Sequence, residues 1–150
     1  MLRIAMRSTT DVMQAMFGRG PQIFVELSRG KTKMNRENLD RMLAIWNTQN
    51  EDEKRSLAEI ALEHNVHFVD PNHNIIGRNA FLDMVASVQA MIPGAVYSRA
   101  SEIDVQNHHC RYHWAIHQAE KLLMEGFDVT EINDAGKIVK VIGFFGELKR

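Results

Sequence analysis

The chain has 150 residues, a length that suits one domain with a core large enough to enclose a cavity. Its hydrophobic fraction of 45% and charged fraction of 25% are ordinary for a globular protein, and its net charge of -1 gives no electrostatic reason to expect nucleic acid or a membrane surface as a partner. No apolar run approaches the roughly 20 residues that span a bilayer. The single cysteine, Cys110, cannot form an internal disulfide, so we expect a reducing, cytoplasmic setting.

The N-terminal part of the chain differs in composition from the rest. It contains a Gly20-Pro21 step and shows no sustained apolar periodicity beyond the short run Gln22 to Leu27. We therefore predict that residues 1–34 form a mobile N-terminal extension and that residues 35–147 form the domain. Translation that begins upstream of a natural start at Met34 would explain the same composition.

Three segments have the apolar spacing of amphipathic helices. The first runs from a capping Asn35 to about Asn47, the second from about Asp52 to His64, and the third from Arg78 to Ala90. Pro93-Gly94 stops the third helix. Trp46 is most simply a core residue, and a ligand contact is the alternative. The apolar faces comprise Leu39, Met42, Leu43 and Trp46 in the first helix, Leu57, Ile60 and Ala61 in the second, and Phe81, Met84, Val85 and Val88 in the third.

Strand patterns dominate the second half of the chain. An early strand, Asn65 to Asp70, ends at Pro71 and precedes a loop from Asn72 to Gly77. The later strands comprise Ala95 to Asp104, His108 to Gln118, Lys121 to Ile132 and Lys137 to Phe145, of which the last two form a β-hairpin around Asn133-Asp134-Ala135-Gly136. Helices that come early and strands that come late predict an α+β domain, with helices on one side of a curved antiparallel sheet and a pocket between them.

Two acids occupy strand positions where apolar residues are expected. Asp70 shares a strand face with Val66 and Phe68, and Asp128 shares one with Met124. Taken alone, each has a simpler explanation. Asp70 before proline is a common turn signal, and Asp128 would be a surface carboxylate because aspartate is almost never fully buried unless it is paired.

Three histidines, His109, His113 and His117, are spaced by four residues. On a helix they would lie one turn apart and could bind zinc, whereas on a strand they would lie about 13 Å apart. Because Tyr112, Trp114 and Ile116 alternate with them, we predict a strand and no metal site, and we keep His113 as a candidate polar group of the pocket. The remaining histidines, His64, His67, His73 and His108, are in polar contexts that predict solvated side chains.

Several motifs together resemble the SnoaL-like members of the nuclear transport factor 2-like superfamily, which also contains ketosteroid isomerase. They are a helix that ends in Trp46-Asn47, the segment VHFVDPNHNIIGRNAF, the Pro93-Gly94 break, and the segment GFDVTEINDAGKIVKVIGFFG. The resemblance covers about Asn35 to Glu147. It implies a cone-shaped α+β fold, in which a curved sheet and three helices enclose a pocket, often in a homodimer.

The resemblance also implies roles for individual residues. Asp70 matches the carboxylate that shuttles the proton in ketosteroid isomerase, and Asp128 matches the second acid, which donates a hydrogen bond to an oxyanion. Phe145 matches an aromatic residue of the pocket. The isomerase's tyrosine donor has no counterpart, because its place falls near Met42, and loss of such a donor costs on the order of 10²–10³ in rate.

The resulting hypothesis is a cofactor-independent isomerase, cyclase or dehydratase that acts on a small hydrophobic carbonyl compound. Its catalytic candidates are Asp70 as base, Asp128 as acid, and His113. The ligand-binding candidates comprise Met42, Trp46, Phe68, Met124 and Phe145. We expect no metal, no cofactor and no nucleic-acid or membrane partner. The alternative is a non-catalytic module that binds a ligand or dimerises through its sheet.

Overall fold

The computed structural model describes residues 22–150, of which Thr32–Arg150 form one compact unit. The helices are α1 (Gln22–Asn47), α2 (Glu51–Ala61) and α3 (Arg78–Met91). The strands are β1 (Leu62–Val69), β2 (Asn74–Ile76), β3 (Val96–Arg99), β4 (Asp104–Gln106), β5 (His109–Gln118), β6 (Lys121–Ile132) and β7 (Ile138–Phe145). None of the helices in this part of the chain is long and apolar enough to cross a membrane.

The strands form one open, curved sheet in the order β2-β1-β7-β6-β5-β3, and β4 pairs with β5 beside β3. β7 lies antiparallel to β6 but parallel to β1, with Phe68 opposite Val141 and Val69 opposite Ile142. The predicted α+β cone fold with a curved sheet is therefore confirmed; the pairing is antiparallel as predicted except between β1 and β7, which makes the sheet mixed. The last strand of the hairpin returns along the first strand in the same direction, which no local sequence pattern specifies.

Several element boundaries differ from the predicted ones. The first helix begins at Gln22 rather than Asn35, and residues 1–21 of the predicted extension lie outside the described residues. The second helix ends at Ala61 because Leu62 already begins β1, and Ile60 is 52% exposed rather than on the buried face. The predicted strand Ala95 to Asp104 is divided into β3 and β4, and the predicted loop contains β2.

The core lies between the helices and one face of the sheet, which we call the inner face. Side chains alternate along β6, so that Gly126, Asp128 and Thr130 are buried on this face as the sequence predicts. Leu39 of α1 and Phe81 of α3 pack into the same core. Each such fully buried apolar side chain contributes about 1.5–3 kcal/mol relative to an exposed one.

Gly126 marks the closest approach between β6 and its neighbours. A Cβ atom at this position would overlap the Phe144 carbonyl oxygen and lie 2.5 Å from Cζ2 of Trp114. Only glycine leaves enough room for the Trp114 indole ring to approach β6 this closely.

We predict that Gly126→Ala lowers the free energy of unfolding by about 1–3 kcal/mol, because the added methyl group overpacks a filled space. Urea denaturation measures the change. The control is Glu125→Ala, whose side chain is exposed on the other face of β6 and should alter stability by no more than about 0.5 kcal/mol. Equal effects of the two substitutions would contradict the close approach.

Candidate functional site

A cavity of about 180 Å³ lies between the inner face of the sheet and helices α1 and α3. All five predicted ligand-binding residues line it, namely Met42, Trp46, Phe68, Met124 and Phe145, and so do both candidate acids, Asp70 and Asp128. Asn72 and His73 lie with Asp70 on the wall, whereas no lysine or arginine contributes to the lining formed by the described residues. The cavity is thus an apolar space with acidic and amide groups gathered along the sheet.

Aromatic rings make much of the cavity wall rigid. Trp46 stacks on Tyr97, with 4.9 Å between ring centroids and 28° between planes, and meets Phe81 edge-on at 5.9 Å. On the opposite side, Trp114 meets Phe145 edge-on at 5.7 Å. Trp46 is therefore both a core residue and a cavity residue. Edge-to-face and offset pairs of this kind contribute about 0.5–1.5 kcal/mol beyond their buried area.

Asp128 is a buried carboxyl held by two side-chain donors from β5. The Tyr112 hydroxyl donates to Oδ2 at 2.9 Å, and the Trp114 indole N–H donates to Oδ1 at 2.9 Å. Burial raises the pKa of Asp128 to about 6; the two hydrogen bonds oppose this rise, and the charge of Asp70 adds to it. The carboxyl therefore changes protonation near neutral pH, where proton transfer in either direction is effective.

Asp70 is the first residue after β1 and forms the turn that Pro71 initiates. Its Oδ1 accepts hydrogen bonds from the backbone N–H groups of Asn72, at 2.8 Å, and His73, at 2.7 Å. The imidazole Nδ1 of His73 lies 2.9 Å from Oδ1 and 3.1 Å from Oδ2. Asp70 therefore both forms the turn and lines the cavity, although the sequence presents these as alternatives.

Gly143 on β7 separates the two acids. A Cβ atom at this position would lie 3.1 Å from Oδ1 of Asp128 and 3.5 Å from Cβ of Asp70. Because glycine has no side chain, the Asp128 carboxyl group and the Asp70 side chain both approach the same small gap in the wall. The register places Gly143 directly opposite Asp128, so the backbone fixes this arrangement.

His113 does not belong to the site. β5 forms a strand as predicted, and His113 lies on the outer face, exposed, with its ring 6.0 Å from the Phe127 ring. The prediction that His113 contributes to the pocket is wrong, because Tyr112 and Trp114, its neighbours in the alternation, take the inner face. Within residues 22–150, no group of three or more histidine, cysteine, aspartate or glutamate side chains is arranged to hold a metal ion.

Three polar residues of the site are not among those predicted from the sequence. Tyr112 and Trp114 hold Asp128, and His73 holds Asp70 rather than being solvated as predicted. The sequence does contain a signal for Tyr112 and Trp114, since both share the apolar side of β5 with Ile116. The only sequence signal for His73 is its spacing of three residues from Asp70, which places both in one turn.

No family profile and no curated protein matches the chain. Among solved structures, a candidate isomerase of the SnoaL-like family from Agrobacterium tumefaciens is 24% identical, with a TM-score of 0.71 over 77% of this chain and 99% of that one. A nuclear transport factor 2-like protein of unknown function from Exiguobacterium is 19% identical, with a TM-score of 0.61 over 74% and 99%. A candidate SnoaL-like polyketide cyclase from Jannaschia is 11% identical, with a TM-score of 0.62 over 75% and 85%. This chain therefore has the SnoaL-like, nuclear transport factor 2-like fold.

We predict that Asp128→Asn gains stability relative to the wild type as the pH rises. The folded protein binds the Asp128 proton more tightly than the unfolded chain, so the wild type loses stability between about pH 4 and about pH 6, by on the order of 3 kcal/mol. Asparagine does not titrate, and it can accept from Trp114 and donate to the Tyr112 hydroxyl.

The measurement is urea unfolding of both proteins between about pH 4 and about pH 8. Asp83→Asn, at an exposed position of α3, controls for the loss of an ordinary carboxylate. A stability difference between wild type and Asp128→Asn that does not vary with pH would show that Asp128 titrates as an exposed aspartate does.

Proposed function

We propose that the protein binds a small, uncharged, largely apolar carbonyl compound and moves protons on it without a cofactor, as an isomerase, cyclase or dehydratase. The observation that carries this proposal is the pair of acids, Asp70 and Asp128, on either side of Gly143 in an otherwise apolar cavity. A buried acid with a pKa of about 6 beside a second acid in a cleft is typical of an acid–base site.

The size of the cavity supports a substrate with about one ring. An engineered cavity of roughly 150 Å³ holds benzene, so 180 Å³ accommodates one ring and short substituents. Beyond this space, the exposed side chains of Met91, Met124 and Phe145 at the edge of the cavity offer apolar surface to a longer tail. A four-ring steroid exceeds the enclosed volume.

The charge of the lining supports an uncharged substrate. A carboxylate or phosphate would lie beside Asp70 and Asp128 with no lysine or arginine among the described lining residues to compensate it. Burying such an anion without a partner costs several kcal/mol. A ketone carbonyl, in contrast, can accept one hydrogen bond from protonated Asp128 and remain neutral.

The proposed reaction divides the work between the two acids. The Asp70 end of the cavity accepts a proton from the carbon next to the carbonyl, while protonated Asp128 donates a hydrogen bond to the carbonyl oxygen as negative charge develops there. The Tyr112 hydroxyl is committed to Asp128 and does not line the cavity, so it does not replace the missing tyrosine donor. With Asp128 as the donor to the oxygen, the site suits substrates whose C–H bond is activated by a neighbouring carbon–carbon double bond as well as by the carbonyl.

We predict that the protein isomerises a cyclic β,γ-unsaturated ketone with a six-membered ring to the conjugated ketone. The ultraviolet absorbance of the conjugated product measures the rate. Since Asp128 must be protonated, kcat/KM should fall as the pH rises above about 6, approaching tenfold per pH unit. Asp128→Asn should be slower and lose this dependence, whereas Asp83→Asn should keep the wild-type profile.

A falling limb that persists unchanged in Asp128→Asn would show that another group, and not Asp128, must be protonated. If the ketone binds but is not converted faster than in buffer, catalysis is rejected and the protein is a ligand-binding module. NMR shifts of cavity residues on addition of the ketone report binding independently of conversion.

We also propose that the protein is a homodimer that uses the outer face of the sheet. A set of apolar side chains on this face, which we call the outer patch, comprises Leu123, Phe127, Val129, Ile142 and Phe144. Phe127 and Phe144 stack at 4.9 Å, and Leu123 and Phe144 remain 43% and 47% exposed. Contiguous apolar surface of this kind on a strand face is typical of an interface, and a second copy of the chain offers a complementary partner.

We predict that Phe144→Lys converts the dimer to a monomer, because it places a charge in the centre of the outer patch. Sedimentation equilibrium measures the mass. Glu131→Lys, at an exposed position on the same face of β6 but outside the patch, should remain dimeric. A wild-type protein that sediments as a monomer, or a Phe144→Lys variant that stays dimeric, would contradict this interface.

A further inference from the structure

His73 lies at the polar end of the cavity, and the mechanism above gives it no role. Its Nδ1 lies within hydrogen-bond distance of both carboxyl oxygens of Asp70, and its side chain is 28% exposed. It also lines the cavity. The inference rests on the proposed function, in which one atom at this end of the cavity accepts the substrate proton. Both Asp70 and His73 offer an atom that could do so.

The carboxyl oxygens of Asp70 are largely occupied. A carboxylate oxygen has about two lone-pair sites. Oδ1 is within reach of three donors, namely the backbone N–H groups of Asn72 and His73 and the Nδ1–H group of His73, and Oδ2 shares the last of these. Oδ1 is thus fully engaged by the turn, and only Oδ2 keeps a lone-pair site that a substrate proton could use.

The imidazole of His73 offers a second acceptor at this end of the cavity, and that acceptor is not held by the turn. A neutral imidazole carries one proton, and the carboxylate of Asp70 keeps it on Nδ1, where it is donated. Nε2 is then the unprotonated nitrogen, and it has no hydrogen-bond partner among residues 22–150. A carboxylate that fixes the tautomer and orientation of an imidazole is the arrangement by which histidine acts as a general base.

We propose that Nε2 of His73 removes the substrate proton and that Asp70 is a positioning residue for the ring. The C–H bond next to the carbonyl breaks, an N–H bond forms at Nε2, and the electron pair moves to the carbonyl oxygen, which accepts a hydrogen bond from Asp128. For isomerisation, the same proton returns from Nε2 to the far carbon of the dienolate, and the carbonyl re-forms. Proton and electron pair both balance, so no oxidant, reductant or co-reactant is required.

The first test separates His73 from Asp70 in the ketone isomerisation. In His73→Asn, the side-chain amide can still donate to Asp70 from a position close to that of Nδ1, but no basic nitrogen remains; His73→Gln is a second variant in case the first folds poorly. Both should lose about 10²–10⁴ in kcat with little change in KM. His109→Asn, at an exposed position on the outer face of β5, is the matched control and should keep the wild-type rate.

The second test determines which ring nitrogen of His73 carries the proton, by NMR of protein whose histidines are labelled with ¹⁵N. The His73 signals are assigned by their loss in His73→Asn. In the wild type, neutral His73 should carry its proton on Nδ1, and Asp70→Asn should shift the proton towards Nε2. A wild-type ring protonated on Nε2 would overturn the inference.

The outcomes distinguish this inference from the function it rests on. Conversion of the ketone that survives in His73→Asn within about threefold would overturn the role of His73 alone and return the proton to Asp70. Absence of conversion by the wild type would overturn the proposed function, and with it the catalytic role of His73.

Discussion

The pair of hydrogen bonds from Tyr112 and Trp114 to Asp128 is the interaction on which the rest of the site depends. It is built across strands, since Tyr112 lies opposite Asp128, and Asp128 lies opposite Gly143. The parallel pairing of β1 with β7 then brings Asp70 to the far side of Gly143. Tyr112, Asp128 and Gly143 therefore lie in one row across the sheet that strand register fixes. Asp70 lies at the end of this row, directly after β1.

The same row explains why a buried carboxyl is tolerated. Burial and the nearby charge of Asp70 disfavour the ionised form of Asp128, while its two donors favour it, and the pKa of about 6 is the balance of these effects. Fewer donors would raise the pKa of Asp128 further, and a more polar cavity would lower it. The aromatic wall, in which Trp46 stacks on Tyr97, adds apolar surface to the cavity that Asp128 also lines.

Local patterns in the sequence predicted the parts of this arrangement that depend on alternation. The hairpin of β6 and β7 and the inward direction of Asp128 follow from a period of two, as does the position of Asp70 beyond Phe68. The parallel contact of β1 with β7 depends on which strands meet, and sequence periodicity carries no information about that. His113 was misplaced although the apolar side of β5 indicated its direction, and His73 was missed because its role depends on the folded turn at Asp70.

The row of residues through Gly143 also limits which parts of a substrate could vary in the proposed reaction. Asp128 and Gly143 stand on neighbouring strands, about 4.8 Å apart, and Asp70 directly follows β1, so the backbone fixes the positions of the two acids. In the proposed reaction, a substrate would therefore place its oxygen at Asp128 and its labile hydrogen near the turn that contains Asp70 and His73. Met42 and Val88, in contrast, stand on helices at the opposite wall. Replacing them would reshape the space for the rest of the molecule while the reacting geometry stays constant, so that selectivity can evolve separately from chemistry.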